Sequence, residues 1–87
     1  MKIIVSSRAK KELKKIPKID QIAVARKIGS LIEALIVNEE KLSGFKYIFR
    51  IRVGNYRIVY RKTSQEIYIV LIHHRKDVYG IVNQLLK

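Results

Sequence analysis

Residues 49–61 read FRIRVGNYRIVYR, with arginine at positions 50, 52, 57 and 61. Apolar and charged residues alternate on both sides of Gly54-Asn55, the period of a half-buried strand. A glycine followed by Asn in a two-residue loop suits a tight hairpin turn with glycine first. That turn sets the register. Val53 then pairs with Tyr56, Ile51 with Ile58 and Phe49 with Tyr60, an apolar and aromatic face. On the opposite face Arg52 meets Arg57, Arg50 meets Val59 and Ile48 meets Arg61. Like charges directly opposite each other destabilise a sheet. The arrangement makes sense if an anion lies on that face, because guanidinium groups bind phosphate bidentately and keep their charge. Paired strands also hold such groups rigidly, as a site requires. Arg50, Arg52 and Arg57 are therefore read as an anion site. For Arg61, furthest from the turn, an ordinary solvated strand face remains open as a reading.

Outward from the hairpin, residues 45–53, 56–62 and 66–73 are rich in Ile, Val, Tyr and Phe and read as a three-strand meander. Thr63, Ser64 and Gln65 form its second turn. Residues 2–6 read as a short strand. Ser6 or Ser7 can cap a first helix. Ala9, Leu13 and Ile16 share one face of it, Lys10, Lys11, Lys14 and Lys15 the other, and Pro17 ends it. A second helix is expected over about 19–37, its stripe formed by Ile22, Ala25, Gly29, Ile32 and Ile36 and widened by Ile28, Leu31 and Leu35. Gly29 weakens a helix interior, and close packing would explain it. Asn38 suits the end of the helix, and EEKLSG, residues 39–44, reads as loop. Residues 76–87 read as a terminal helix with Val78, Ile81, Val82 and Leu85 facing inward. The expected fold class is α+β, in the order β-α-α-β-β-β-α, with a helical hairpin packed on one face of a mostly antiparallel sheet.

The chain has 87 residues, enough for a single domain over 1–87. An apolar fraction of 48%, one Pro and four Gly argue against disorder. The absence of cysteine excludes disulfides and Cys-ligated zinc and fits a reducing, cytoplasmic setting. The amino terminus turns basic too early for a signal peptide, and no apolar run is long enough to span a membrane. Nineteen Lys and Arg against seven Asp and Glu give a formal charge of +12. A folded domain this basic expects a polyanionic partner. The four lysines of the first helix suit either an RNA grip or a solvated face.

The stretch HHRKDVY, residues 73–79, follows the last strand directly. His74 titrates near neutral pH and can move protons. Arg75 adds a phosphate-directed charge. Tyr79 can stack on a base or donate a hydrogen bond, or equally open the last helix as a core residue. Adjacent strand residues point to opposite faces, so at most one of His73 and His74 is expected to face the arginines. The histidine spacing and the lack of a nearby carboxylate cluster give no metal site.

FRIRVGNYRIVYR followed by IYIVLIHHRKDVY resembles the RelE/ParE toxin superfamily of type II toxin–antitoxin systems. KELKKIPK in the helical hairpin and KLSG before the meander are also similar, so the resemblance covers nearly the whole chain. It implies a RelE-like fold and, for the RelE-type branch, an endoribonuclease that cuts mRNA, often in the ribosomal A site, and is neutralised by an acidic antitoxin. It places basic functional residues at Arg50, Arg52, Arg57 and Arg75 and a tyrosine at Tyr79. His73 stands where many relatives carry glycine, which implies an altered local backbone or a more crowded pocket. ParE-type relatives share the fold but poison DNA gyrase without this full basic set.

The expected chemistry is in-line attack of a ribose 2′-OH on its own 3′-phosphate, with no metal or other cofactor. The arginines would orient the phosphate and stabilise its developing charge. His74 would move a proton, and Tyr79 would position a base or assist the leaving group. Asp77 is the nearest acid in sequence and is expected to open the last helix. The alternative is a ParE-like toxin acting on gyrase by protein contact alone.

Overall fold

The computed structural model describes residues 1–33, 38–74 and 78–86. The hairpin forms as its sequence requires. Strands Ile48–Val53 and Tyr56–Lys62 pair in all six expected positions, Arg52 opposite Arg57 included. Gly54 takes the left-handed conformation, φ 58°, that the first position of the turn demands.

In chain order the elements are β1 (Lys2–Val5), α1 (Ser7–Lys15), α2 (Lys18–Ser30), β2 (Glu40–Lys41), β3 (Ile48–Val53), β4 (Tyr56–Lys62), β5 (Glu66–His73) and α3 (Tyr79–Leu86). The five strands form one sheet in the order β1-β5-β4-β3-β2. β1 lies parallel to β5, and the other pairs are antiparallel. The α+β class, the meander and the helical hairpin stand as expected. The loop reading of EEKLSG is corrected: Glu40 and Lys41 pair with Arg50 and Phe49 along the open edge of β3. Two residues are too few to show an alternation, but a strand edge offers unpaired amide and carbonyl groups to any chain that reaches it.

α1 and α2 cover one face of the sheet. Ala9, Val24, Ile28 and Leu31 pack there against Ile51, Ile58, Tyr60, Ile67, Ile69 and Ile72. The Ser6 hydroxyl links two layers. Its Oγ accepts from the Ala9 amide at 3.0 Å, capping α1, and donates to the Val70 carbonyl at 2.9 Å. Glu12, further along α1, accepts the Ile72 amide of β5 at 3.0 Å. β1 pairs with β5 only as far as Ile69. Beyond that point the carboxylate takes the place of a neighbouring strand. Gln21 reaches back from α2 to the Ile16 carbonyl at 3.0 Å, satisfying an acceptor just past the end of α1.

The expected stripe of α2 is corrected. Val24, Ile28 and Leu31 are buried, whereas Ile22 and Ile32 are about half exposed and Ala25 and Gly29 face outward. The helix carries apolar residues on several sides, so two overlapping stripes fit its sequence, and packing against the sheet selects one. A Cβ at Gly29 would meet nothing within 4 Å, so close packing is not the reason for that glycine. The helix also stops at Ser30, earlier than expected. The Ser30 hydroxyl bonds the Lys27 carbonyl at 2.7 Å, and the Leu31 amide turns back to Ile28. Leu35 and Ile36 of the expected stripe lie outside the described residues. Asn38 takes a left-handed φ of 69°.

α3 packs on the opposite face, the one that carries the arginines. Val78 and Val82 are fully buried there with Leu42, Ile48, Val59, Val70 and Leu71. Leu85, expected to face inward, is 43% exposed. The arginine face is thus divided: its middle is a second core, and only the end nearest the Gly54-Asn55 turn is open. β5 contains an irregularity that matters for this face. Val59 pairs with Leu71, but Tyr60 pairs with Ile69. Val70 is the extra residue of a bulge, and Val70 and Leu71 both join the second core. The bulge reverses the in–out parity of every later β5 residue.

Ser6→Ala is expected to lower unfolding stability by about 1–2 kcal/mol, since it removes a helix cap and a bond to β5 together. Gly29→Ala is expected to raise it by about 0.5–1 kcal/mol. Urea unfolding of the two variants beside the wild type measures both.

Candidate anion-binding groove

At the open end of the sheet a groove of about 740 Å³ is lined by Asn38, Glu40, Arg50, Arg52, Gly54 and Arg57. Three of the expected site residues therefore come together. Arg52, Arg57 and His73 form one row across β3, β4 and β5, because Arg57 pairs with Arg52 on one side and His73 on the other. The row is like-charged wherever His73 is protonated. Part of the repulsion is relieved locally. Arg52 Nε donates to the Gly54 carbonyl at 2.9 Å, and Arg57 Nη1 donates to the Asn55 carbonyl at 3.3 Å. Each guanidinium has five N–H donors in a planar fork, so donors remain for a ligand. The fourth arginine of the hairpin, Arg61, is not a lining residue. It lies over the Tyr68 ring at 5.4 Å, a cation–π contact on the solvated side.

The histidines depart from simple alternation. Counting inward and outward residues from Ile67 would put His74 on the arginine face. The bulge at Val70 puts His73 there instead, opposite Arg57. β5 ends at His73 and the chain bends at His74, so the two rings do not diverge: they stack nearly parallel, 5.0 Å apart. At most one of them was expected to face the arginines, and the register puts His73, rather than the singled-out His74, in their row. His73 is a candidate that the alternation argument passed over.

Tyr79 is placed away from the groove lining. It opens α3, packs against the second core and accepts a hydrogen bond from the Ser43 amide at 3.1 Å. Its core reading is thereby satisfied, and its hydroxyl orders the turn before β3. Arg75 and Asp77 lie outside the described residues. Among the described residues no group of three or more His, Asp or Glu side chains could hold a metal ion, and no helix is long and apolar enough to cross a membrane.

Two adjacent glutamates were read in sequence only as loop, and one of them completes the groove. Glu40 faces the arginines, and its Oε2 accepts from Arg50 Nη2 at 2.9 Å. Glu39 points to the opposite side. Its carboxylate accepts the buried Tyr60 hydroxyl and bonds Lys62 Nζ at 2.9 and 3.0 Å. Burial, followed by the neighbouring Glu39 carboxylate, pushes the Tyr60 phenol far above its ordinary range. It therefore stays a neutral donor. Lys62 also stands 4.9 Å above the Phe49 ring. No motif announces this arrangement. Its only trace in sequence is a glutamate pair a few residues ahead of a strand with an arginine-bearing face.

Comparison with known proteins places the chain. No curated protein sequence matches it. Among solved structures it is similar to the toxin–antitoxin complex RelBE2 of Mycobacterium tuberculosis, at 24% identity over 85% of this chain and 96% of that one, TM-score 0.73. It is also similar to an arginine-substituted mutant of the E. coli toxin RelE in the free state, at 19% identity over 98% and 96%, TM-score 0.78. The RelB–RelE complex of Methanococcus jannaschii matches at 26% identity over 90% and 96%, TM-score 0.67. These likenesses establish a RelE fold. The family model for the ParE toxin of type II toxin–antitoxin systems matches residues 3–79. With nine-tenths of its length under that model, the chain belongs to the RelE/ParE superfamily and is a toxin of the type II toxin–antitoxin class.

Proposed function

We propose that this toxin is an endoribonuclease that cuts mRNA, presented in the ribosomal A site, and so stops translation. The observation that carries this reading is the row Arg52–Arg57–His73, with Arg50 beside it, on rigid paired strands at an open groove. A phosphodiester is the anion that such a fork of guanidinium groups fits best. A proton carrier next to the phosphate is what ribose-assisted cleavage needs.

In the proposed reaction the 2′-oxygen forms a bond to the adjacent phosphorus while the bond to the 5′-oxygen breaks. One proton leaves the 2′-OH and one arrives on the 5′-oxygen. The products are a 2′,3′-cyclic phosphate and a free 5′-OH. Arg50, Arg52 and Arg57 hold the phosphate in line and stabilise the added charge on its oxygens. Arg75 is assigned the same role. The stacked pair of His73 and His74 supplies the proton traffic, with His74, the more exposed of the two, as the group that exchanges with solvent. Tyr79, anchored by Ser43 away from the groove lining, would meet a base of an RNA strand that runs on past the arginines. The attack itself requires no metal ion or organic cofactor.

A domain of +12 charge calls for shielding. The similar structures from Mycobacterium tuberculosis and Methanococcus jannaschii are complexes of a toxin with an antitoxin. An acidic cognate antitoxin with an amphipathic helix is the proposed partner here, in the cytoplasm where ribosomes are. The ParE description of the matching family model favours one second reading: a toxin that inhibits DNA gyrase by protein contact, without RNA cleavage.

Induced expression with primer extension separates the two. Wild type is expected to arrest growth with new 5′ ends in translated messages, and Arg57→Ala to abolish both. Arrest without new RNA ends transfers the assignment to gyrase. Binding to a single-stranded RNA should also weaken with salt, with a slope of about −0.7 in log K against log salt for each phosphate contacted.

A further inference from the structure

We propose that Glu40 is a tethered competitor for the phosphate site. It is an internal carboxylate that occupies Arg50 until a phosphodiester chain, anchored also by Arg52 and Arg57, displaces it. This inference rests on the reading of the groove as a phosphate site, and not on whether the bound RNA is cut.

The placement is built rather than incidental. Glu40 is the cross-strand partner of Arg50, and its Oε2 lies 2.9 Å from Arg50 Nη2. A carboxylate oxygen at that distance takes the position a phosphate oxygen would take. The preceding residue keeps it there. Glu39 points to the other side of the sheet and is fastened by the Tyr60 hydroxyl and by both bonds from Lys62. Its side chain is 15% exposed, that of Glu40 66%. One glutamate of the pair is thus a half-buried anchor, the other a solvated arm over the groove. A two-residue strand would fray without such an anchor.

The energetic consequence follows from the tether. A group on a short tether acts at an effective concentration in the millimolar range. A single free phosphate below that concentration competes poorly for Arg50. A nucleic-acid strand that engages Arg52 and Arg57 with neighbouring phosphates brings enough binding energy to displace Glu40. Because the arm is mostly solvated, the barrier it sets is modest: the range for exposed ion pairs corresponds to about two- to fivefold in affinity. Glu40 therefore lowers the affinity of any anion that takes Arg50 by that factor, and a chain that also engages Arg52 and Arg57 has binding energy to spare for it.

The test measures binding of inorganic phosphate and of an uncleavable 2′-O-methyl RNA hexamer at fixed ionic strength. The proteins are wild type, Glu40→Gln, Glu40→Asp and Glu33→Gln, the last removing a charge outside the groove. Glu40→Gln and Glu40→Asp are both expected to bind about two- to fivefold more tightly than wild type, with Glu33→Gln unchanged. The aspartate keeps the charge but is one methylene too short to hold Arg50, so it separates occupancy from mere field. In an Arg50→Ala background the Glu40→Gln gain is expected to vanish, as a coupled pair requires. Aspartate binding like wild type, or glutamine binding no better than wild type, overturns the proposal. Absence of phosphate and RNA binding in every variant overturns it together with the anion groove. Tighter binding by both Glu40 variants beside a wild type that cuts no RNA upholds the competitor and removes the nuclease reading alone.

Discussion

The juxtaposition of Arg52 and Arg57 is the constraint around which this protein is organised. Two guanidinium groups on neighbouring strands repel, and a sheet tolerates that only where its register cannot slip. The register is set from both sides. Gly54 supplies the left-handed residue for the tight turn. The six apolar partners on the opposite face, from Val53–Tyr56 to Phe49–Tyr60, all belong to the main core. A one-residue slip would expose that core. Burial on one face of the hairpin therefore maintains the charge concentration on the other.

The rest of the structure leaves that concentration accessible while closing everything around it. α1 and α2 cover the apolar face, with Ser6, Glu12 and Gln21 joining helix ends and strand edges through side-chain bonds to backbone. α3 covers the middle of the arginine face, where Ile48, Val59 and Leu71 lie, and stops short of the turn. A sheet buried on both sides over most of its area but open at one end holds its exposed side chains on a rigid base, the condition for electrostatic preorganisation. The bulge at Val70 then turns the end of β5 so that a histidine, rather than the alternative isoleucine, meets Arg57.

Charge balance on this surface is local. The molecule as a whole is strongly basic, yet two of its few acidic residues stand side by side in β2 and the residue before it, one on each side of the sheet. Glu39 compensates Lys62 and accepts from a buried tyrosine, so its cost of burial is offset by three hydrogen bonds. Glu40 meets Arg50 in solvent, where the pair is weak and exchangeable. The same residue type one position apart thus serves as a fixed anchor and as a displaceable counter-ion, the difference being how much water reaches each.

Much of this was legible in the residues alone. The hairpin, its register, the two faces, the Ser6 cap, the Pro17 break and the α+β class follow from local chemistry: strand period, turn residues, capping oxygen and the geometry of proline. Grouping Arg50, Arg52 and Arg57 followed from the same alternation. What escaped was whatever depends on two distant segments meeting. The buried side of α2 could not be read from an apolar-rich helix, because Val24, Ile28 and Leu31 are selected only by the sheet beneath them. The parity of His73 hung on one extra residue in β5 that leaves no mark in composition. Glu39 and Glu40 gained their roles only when a two-residue strand found the edge of β3 and sent one carboxylate to Tyr60 and the other to Arg50. Local sequence determines how each strand and turn behaves, since those energies lie within a few residues. Tertiary structure alone decided which charge meets which, because that energy exists only once the edges of the sheet have been filled.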